Sequence, residues 1–355
     1  VPMLRPTLPD LKILMPRLKK AFQTGQITNA SNVREFETLT AEYLGVKYCV
    51  AVSSCTSGLI LTQKCFGLKG EVIVPSFTFH ATAHSLLWNN LTPVFVDCRQ
   101  DTFNIDEEKI EQLITEKTSA ILAVYLYGNP PYMEKLQHIA DKHNLKLIFD
   151  AAHAFGSKYK GIKAGGFGDA EVFSLSPTKL LITGEGGLVA TNDALLADKL
   201  KIARNYGDSG NYDCEFNGLN ARMAEFNAIL GIEGLKIADK KIKIRNKIAK
   251  LYTEFFKNYK GISFQKIAKG NLSTFKDYSI IIDPDVLGIG RDAIAIALEK
   301  ENIVTKKYFY PPVHLQKVYR PYTKAGLEIT EKLSGRVLSL PIYCSLTDKI
   351  IEKIC

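Results

Sequence analysis

The stretch Lys146-Leu-Ile-Phe-Asp150-Ala-Ala-His153, followed by Ala170-Glu-Val-Phe-Ser-Leu-Ser-Pro-Thr-Lys179 and Thr183-Gly-Glu-Gly-Gly187, decides how this chain folds. Its first two pieces each open on a short apolar run of strand length. Upstream, similar runs at Cys49–Val52, Glu71–Val74, Pro93–Val96 and Ala120–Val124 join Lys146–Phe149 and Ala170–Leu175 as strand candidates. Amphipathic segments separate them, at Thr56–Cys65, Ala81–Leu87, Glu107–Ile114 and Met133–His143. Crossovers of this length imply βαβ units, hence an α/β fold with a mainly parallel sheet sandwiched by helices. Ligands in such sheets bind beyond the carboxyl ends of the strands, which is where Asp150 falls.

Downstream, Ile237, Ile244, Ile248, Leu251, Tyr252 and Phe255 recur at helical intervals, which predicts one long helix from near Arg222 toward Phe256. It would carry the chain from a large α/β domain of residues 1–235 into a smaller α+β domain of residues 236–355. In the latter, Tyr278–Ile282 and Asn302–Tyr310 read as strands, Arg291–Glu301 and Thr347–Ile354 as helices.

At 355 residues, with 46% hydrophobic and 23% charged residues, the chain can bury a large core in more than one domain. No apolar run approaches the roughly 20 residues that span a bilayer, and no basic-then-apolar leader opens the chain, so the expectation is a cytoplasmic protein that does not engage a membrane. The seven cysteines are scattered, without C-x-x-C spacing or histidine partners, which argues against a disulfide framework and a metal site. The net charge of +9 is spread along helical segments such as Lys236–Lys250, with no aromatic interleaving; nucleic acid is not an expected partner.

Chemistry enters with Asp150 and Lys179. Most lysines are solvated surface charges, but Lys179 stands among hydroxyl residues and Leu180, Leu181 and Ile182, a poor place for one. Desolvation would lower its pKa and make the amine a nucleophile. A lysine that condenses with the aldehyde of pyridoxal 5'-phosphate (PLP) and a carboxylate that keeps its pyridine nitrogen protonated are what that cofactor requires.

The chain resembles the DegT/DnrJ/EryC1/StrS sugar aminotransferases over nearly its whole length. The resemblance rests on Ser53-Ser-Cys-Thr-Ser-Gly58, Pro75-Ser-Phe-Thr-Phe79, Leu126-Tyr-Gly128, Asp150-Ala-Ala-His153, Ser174 to Lys179, Gly184-Glu-Gly-Gly187 and Asn220-Ala-Arg222, in the family's order. It implies the fold-type I architecture of PLP-dependent transferases.

The resemblance also implies roles. Ser54, Cys55 and Thr56 lie where a helix N-terminus would hold the cofactor phosphate, a geometry that suits anions in general. Cys55 reads there as a small packing residue, not a nucleophile. Ser174 matches the family's phosphate-binding serine, Phe79 the aromatic ring stacked on the cofactor, and His153 the residue beside its ring hydroxyl. Asn220 matches the residue that reaches the phosphate of a neighbouring subunit, which implies a homodimer with shared active sites; by itself it would read as a helix cap. Tyr308 and His314 are the candidates for holding substrate.

By the same resemblance, L-glutamate gives its amino group to a dTDP- or UDP-linked 4-keto-6-deoxyhexose, in the making of amino sugars for surface polysaccharides or related glycans. Amination at C3, or an aminoshikimate-pathway dehydratase-aromatase on the same scaffold, are the alternatives. Related sugar dehydratases replace the lysine with histidine, and Lys179 speaks against them. Where the family has a Gly-Pro pair after Thr24-Gly25, this chain reads Ile27-Thr-Asn-Ala-Ser-Asn-Val33, a departure that bears on sugar choice only.

Overall fold

A computed structural model describes residues 1–324 and 326–355. Its strands are β1 (Tyr48–Val52), β2 (Glu71–Pro75), β3 (Thr92–Val96), β4 (Thr118–Val124), β5 (Lys146–Asp150), the hairpin β6 (Lys158–Tyr159) and β7 (Ile162–Lys163), β8 (Ala170–Ser174), β9 (Gly187–Thr191), β10 (Ile262–Phe264), β11 (Tyr278–Ile282) and β12 (Val337–Leu340). Seven of them form one sheet in the order β1-β9-β8-β5-β4-β2-β3. The neighbours from β8 through β3 run parallel, and β9 runs antiparallel to both β8 and β1.

Both faces of this sheet are covered. Val50, Val52, Val72, Val74, Ile148 and Val172 enter one apolar cluster, while Ala51, Ile73, Leu147, Phe149 and Phe173 enter another. Successive residues of a strand point to opposite faces, so runs of Val, Ile and Leu without polar alternation become strands buried on both sides. A third cluster joins Ile248, Tyr252 and Phe256 to β11 and β12, with Val1 packed against it. Here β10, β11 and β12 form an antiparallel sheet.

All six strand candidates of the first half are present to within two residues at each end. Four elements differ. Strand β9 was absent from the expectation, because Gly184-Glu-Gly-Gly187 reads locally as a turn; it enters the sheet through the short 175–186 loop, without a crossover helix. Residues 107–114 form two 3-10 turns instead of an α-helix, since Glu107 is buried and tied to Arg99 and Lys135 at 3.2 and 3.0 Å. The long helix is two, Glu225–Leu235 and Ala238–Phe256, broken where Ile237 leaves helical geometry (φ −110°, ψ 5°) just after Gly234. Residues 302–310 are a loop, touching β12 through a single bridge from Lys306 to Ser339, because Phe309 and the Tyr308 carbonyl take partners across the molecule. No helix among the described residues is long and apolar enough to cross a membrane.

Candidate active site

Strand β5 ends on Asp150, paired with Val124 of β4 and Val172 of β8, so its carboxyl group emerges at the parallel strands' carboxyl edge. A cavity of about 380 Å³ opens there. Asp150, Lys179, Ser54, Cys55, Thr56, Phe79, His153, Ser174 and Tyr308 all line it.

Asp150 is 5% exposed. Thr82 donates its hydroxyl to Oδ2 at 2.7 Å, and the Ala152 N–H donates to Oδ1 at 3.0 Å. Burial raises its pKa, against which these hydrogen bonds and the Lys179 charge act. Thr82 is itself tied to Thr78 at 2.9 Å, one turn earlier at the start of the helix His80–Leu87. The Cys55 thiol stands 3.9 Å from Oδ1 and 3.5 Å from the Val172 carbonyl, and burial pushes it far above the range in which a thiolate forms near neutral pH. It packs; it is no nucleophile.

Lys179 lies on the 175–186 loop between β8 and β9, which is closed by Leu175 N–H to the Gly186 carbonyl and Thr183 N–H to the Leu175 carbonyl, both 2.9 Å. Burial lowers its pKa to about 8, helped by the Lys276 ammonium. An amine so placed is neutral in a useful fraction near pH 8, as nucleophilic and proton-transfer chemistry needs. His153 is held well below its usual pKa by burial and then by the Lys179 and Lys276 charges. Its Nδ1 accepts the Tyr127 N–H at 3.2 Å, so the neutral ring carries its proton on Nε2 as a donor.

The helix Cys55–Cys65 starts at the end of β1. Its first turn is closed by a reciprocal cap, the Ser54 hydroxyl accepting the Ser57 N–H and the Ser57 hydroxyl accepting the Ser54 N–H, each at 3.0 Å. Ser57 therefore turns away from the cavity. The Cys55 and Thr56 N–H groups have no acceptor among the described residues and carry the positive end of the helix dipole. A Cβ on Gly187 would stand 2.6 Å from the Ser54 carbonyl, so glycine is what lets β9 run this close to the cradle.

Further residues line the cavity that were not among the sequence candidates. Ser176 and Thr178 extend the Ser174 hydroxyl row, with Oγ contacts of 3.5 and 3.4 Å; their alternate spacing inside the lysine motif was the available signal. Phe309 stands 6.2 Å from Phe79 and 6.4 Å from His153, ring to ring. Lys276, next to Asp277, also faces the cavity, and opposite charges directly ahead of an apolar strand were its signal. Phe79 keeps 46% of its surface open, suited to stacking on a planar ring.

Two sequence candidates fall outside the cavity. His314 corrects an expectation: it is fully buried, with Nδ1 2.6 Å from the Ser76 hydroxyl and Nε2 3.2 Å from Glu331, and it pins the 311–316 loop to the end of β2. Asn220 is exposed, bridged to Asn205, and does not line the cavity of its own chain.

Comparison with known proteins agrees with this geometry. The chain is 38% identical to a dTDP-4-amino-4,6-dideoxy-D-glucose transaminase of Escherichia coli, across 100% of this chain and 96% of that one. It is 34% identical to a dTDP-3-amino-3,6-dideoxy-alpha-D-galactopyranose transaminase of Aneurinibacillus thermoaerophilus, across 97% and 93%. It superposes on a crystal structure of DesI in the presence of its TDP-sugar product with a TM-score of 0.95 and 38% identity, over 99% of this chain and 91% of that one. The model of the DegT/DnrJ/EryC1/StrS aminotransferase family matches residues 12–355. With a cleft built around one lysine and one buried carboxylate, this chain belongs to that family and is an aminotransferase.

Proposed function

We propose that this chain uses pyridoxal 5'-phosphate to move the amino group of L-glutamate onto the ketone of a nucleotide-linked 4-keto-6-deoxyhexose. The observation that carries this reading is the convergence of Lys179 and the buried Asp150 on one cavity rimmed by free helix amides and hydroxyls. The donor set fits the cofactor. The Cys55 and Thr56 amides, with Ser54, Thr56, Ser174 and Ser176, suit its phosphate, Asp150 its ring nitrogen, Phe79 its face, and His153 Nε2–H its ring oxygen.

When bound, PLP supplies an electrophilic aldehyde and a ring that withdraws electrons from the donor's α-carbon. Asp150 holds a proton on the ring nitrogen by staying anionic, which its contacts with Thr82 and Ala152 favour. Lys179 Nζ, with its pKa near 8, takes a proton from the donor's α-carbon and delivers it within the same cavity. His153 donates to the ring oxygen without adding a charge.

For the acceptor, a second cleft of about 410 Å³ shares Thr78, Phe79, Tyr308 and Phe309 with the first and adds Lys306 and Lys307. It would take the nucleotide diphosphate, with Tyr308 at the sugar. The E. coli and DesI likenesses support a dTDP sugar, and the E. coli one supports C4; the 3-amino relative is why position must be measured. We also read the chain as two domains, 1–235 and 236–355, and as a homodimer.

The test is incubation of the PLP-loaded enzyme with glutamate and a panel of dTDP- and UDP-linked 3-keto and 4-keto sugars, with the aminated carbon assigned by NMR. Amination at C4 is expected. Product at C3 alone would overturn the positional assignment, and no amination of any nucleotide sugar would overturn the reading.

A further inference from the structure

Lys276 is a buried cation without a task in the chemistry above. It stands two residues ahead of β11, is 8% exposed, and faces the same cavity as Lys179. Its Nζ donates to both carboxyl oxygens of Asp277, at 2.9 and 3.0 Å, and lies 5.1 Å from the centre of the Tyr308 ring. Asp277 is 4% exposed. The backbone is anchored on both sides: the Lys276 N–H donates to the Tyr127 carbonyl at 2.9 Å, and Arg245 donates to the Lys276 carbonyl at 3.1 Å.

Burying an ion pair is expensive and seldom adds stability over an apolar replacement. One that opens on a reaction cavity therefore invites a functional account. An ammonium has three N–H donors. Asp277 takes two, and the third has no acceptor among the described residues. Apart from Lys179, whose amine is committed to the reaction, Lys276 is the only Lys or Arg side chain among the described residues lining this cavity. An α-amino acid that presents its amino group there must bring its carboxylate with it, and that carboxylate needs a cation. The diphosphate of a nucleotide sugar is a poor rival. Lys306 and Lys307 stand in the adjoining cleft, where they offer a diphosphate two cations outside this cavity.

We propose that Lys276 is the carboxylate anchor for the amino donor. Its third N–H takes the α-carboxylate, Asp277 holds the ammonium in place, and the Tyr308 ring covers it. This rests on the aminotransferase reading and names the donor subsite within it.

The test uses the PLP-loaded enzyme and 2-methylglutamate, which lacks an α-proton, so binding is read from the cofactor's absorbance without turnover. Lys276→Met combined with Asp277→Asn removes both charges together and leaves no buried charge unpaired; Lys276→Arg keeps the cation. In the double variant the dissociation constant for 2-methylglutamate should rise about 30-fold, the loss of one charge-assisted hydrogen bond, and Lys276→Arg should restore most of it. For glutamate KM should rise more than kcat falls, and affinity for the nucleotide keto-sugar should change far less than that for the donor. Unaltered binding of 2-methylglutamate, or equal loss for donor and keto-sugar, overturns the proposal.

Wild-type enzyme gives an independent reading that no folding defect can obscure. It should prefer glutamate over 4-aminobutyrate, the same molecule without the α-carboxylate, by about 30-fold or more, and equal response to the two overturns the anchor. Failure of the aminotransferase reading looks different: wild-type enzyme would give no spectral response to glutamate at all.

Discussion

In the proposed reaction two side chains carry the chemistry, and their environments make opposite demands. The proposed role needs Asp150 charged although burial opposes it, and the Thr82 hydroxyl and the Ala152 amide act in favour of the charge. Asp150→Asn keeps the shape and loses the charge, so the single-turnover rate with glutamate should fall at least about 100-fold while PLP occupancy falls far less. A rate near wild type in stopped-flow measurement would remove Asp150 from the site. Lys179 shows the reverse case, a cation in a place that prefers the neutral amine. Its pKa drops from 10.5 to about 8 in the folded chain. Below pH 8 the amine is protonated folded or unfolded, and the penalty of the buried charge is fully present. Between pH 8 and 10.5 the unfolded chain binds more protons, so stability rises with pH. Lys179→Met should thus stabilise the cofactor-free protein at pH 7 by on the order of 1–2 kcal/mol, after a discount for partial exposure, and the gain should fade above pH 8. Urea titrations of both proteins at pH 7 and 9.5 measure it. The wild-type slope also contains Lys241, which burial lowers to about 8, and the difference between the two proteins isolates Lys179.

At the level of elements, one helix is capped by another. Ser31–Leu44 starts at Ala30, which has no side chain able to cap it. Glu225, the first residue of the helix Glu225–Leu235 and 1% exposed, fills that role from 195 positions away. It accepts the N–H groups of Ala30 at 2.8 Å, Asn32 at 2.8 Å and Val33 at 3.0 Å, and places its charge at the positive end of the dipole. Asn227 on the same helix donates to the Thr183 and Glu185 carbonyls at 2.8 and 2.6 Å, holding the glycine turn that follows Lys179. Glu225→Gln removes the charge and points an N–H donor at amide donors. It should lower stability by about 2–3 kcal/mol, as a fall in the urea midpoint with an unchanged m-value, and weaken PLP binding with it. Full stability in the variant would show that the cap is dispensable.

For the whole molecule, the position of Asn220 raises the question of assembly. It is exposed and away from the cavity of its own chain, yet it lies in the motif that the family resemblance assigns to the phosphate. A homodimer in which Asn220 serves the neighbour's cofactor accommodates both facts. Lys179→Ala and Asn220→Ala homodimers should each turn over poorly. Refolded together, they form mixed dimers in which one site has both residues intact, and activity should return. No recovery, with mixed dimers demonstrated and both parents defective, would place Asn220 in its own chain's service.

What the sequence determined by itself was everything written in local pattern. Unbroken apolar runs between amphipathic segments specify parallel strands buried on both faces, and Asp150 and Lys179 were legible because a strand end and a desolvated lysine leave a signature within a few residues. Most of the cavity lining comes with the motifs around them. Pairing across distance was not legible. Nothing local states that Gly187–Thr191 enters the sheet antiparallel between β1 and β8, since periodicity records which faces are apolar and not which strand lies alongside. The apolar period running through residues 237–255 does not say where a helix breaks, and here it breaks at 236–237. The motif around His314 makes it a substrate candidate, but Ser76, 238 positions away, takes its ring. Lys276 has only its neighbour Asp277 to mark it along the chain. Only the tertiary structure brings it to the cavity wall beside Lys179, because burial and charge pairing are decided by residues that folding, not chain order, makes neighbours.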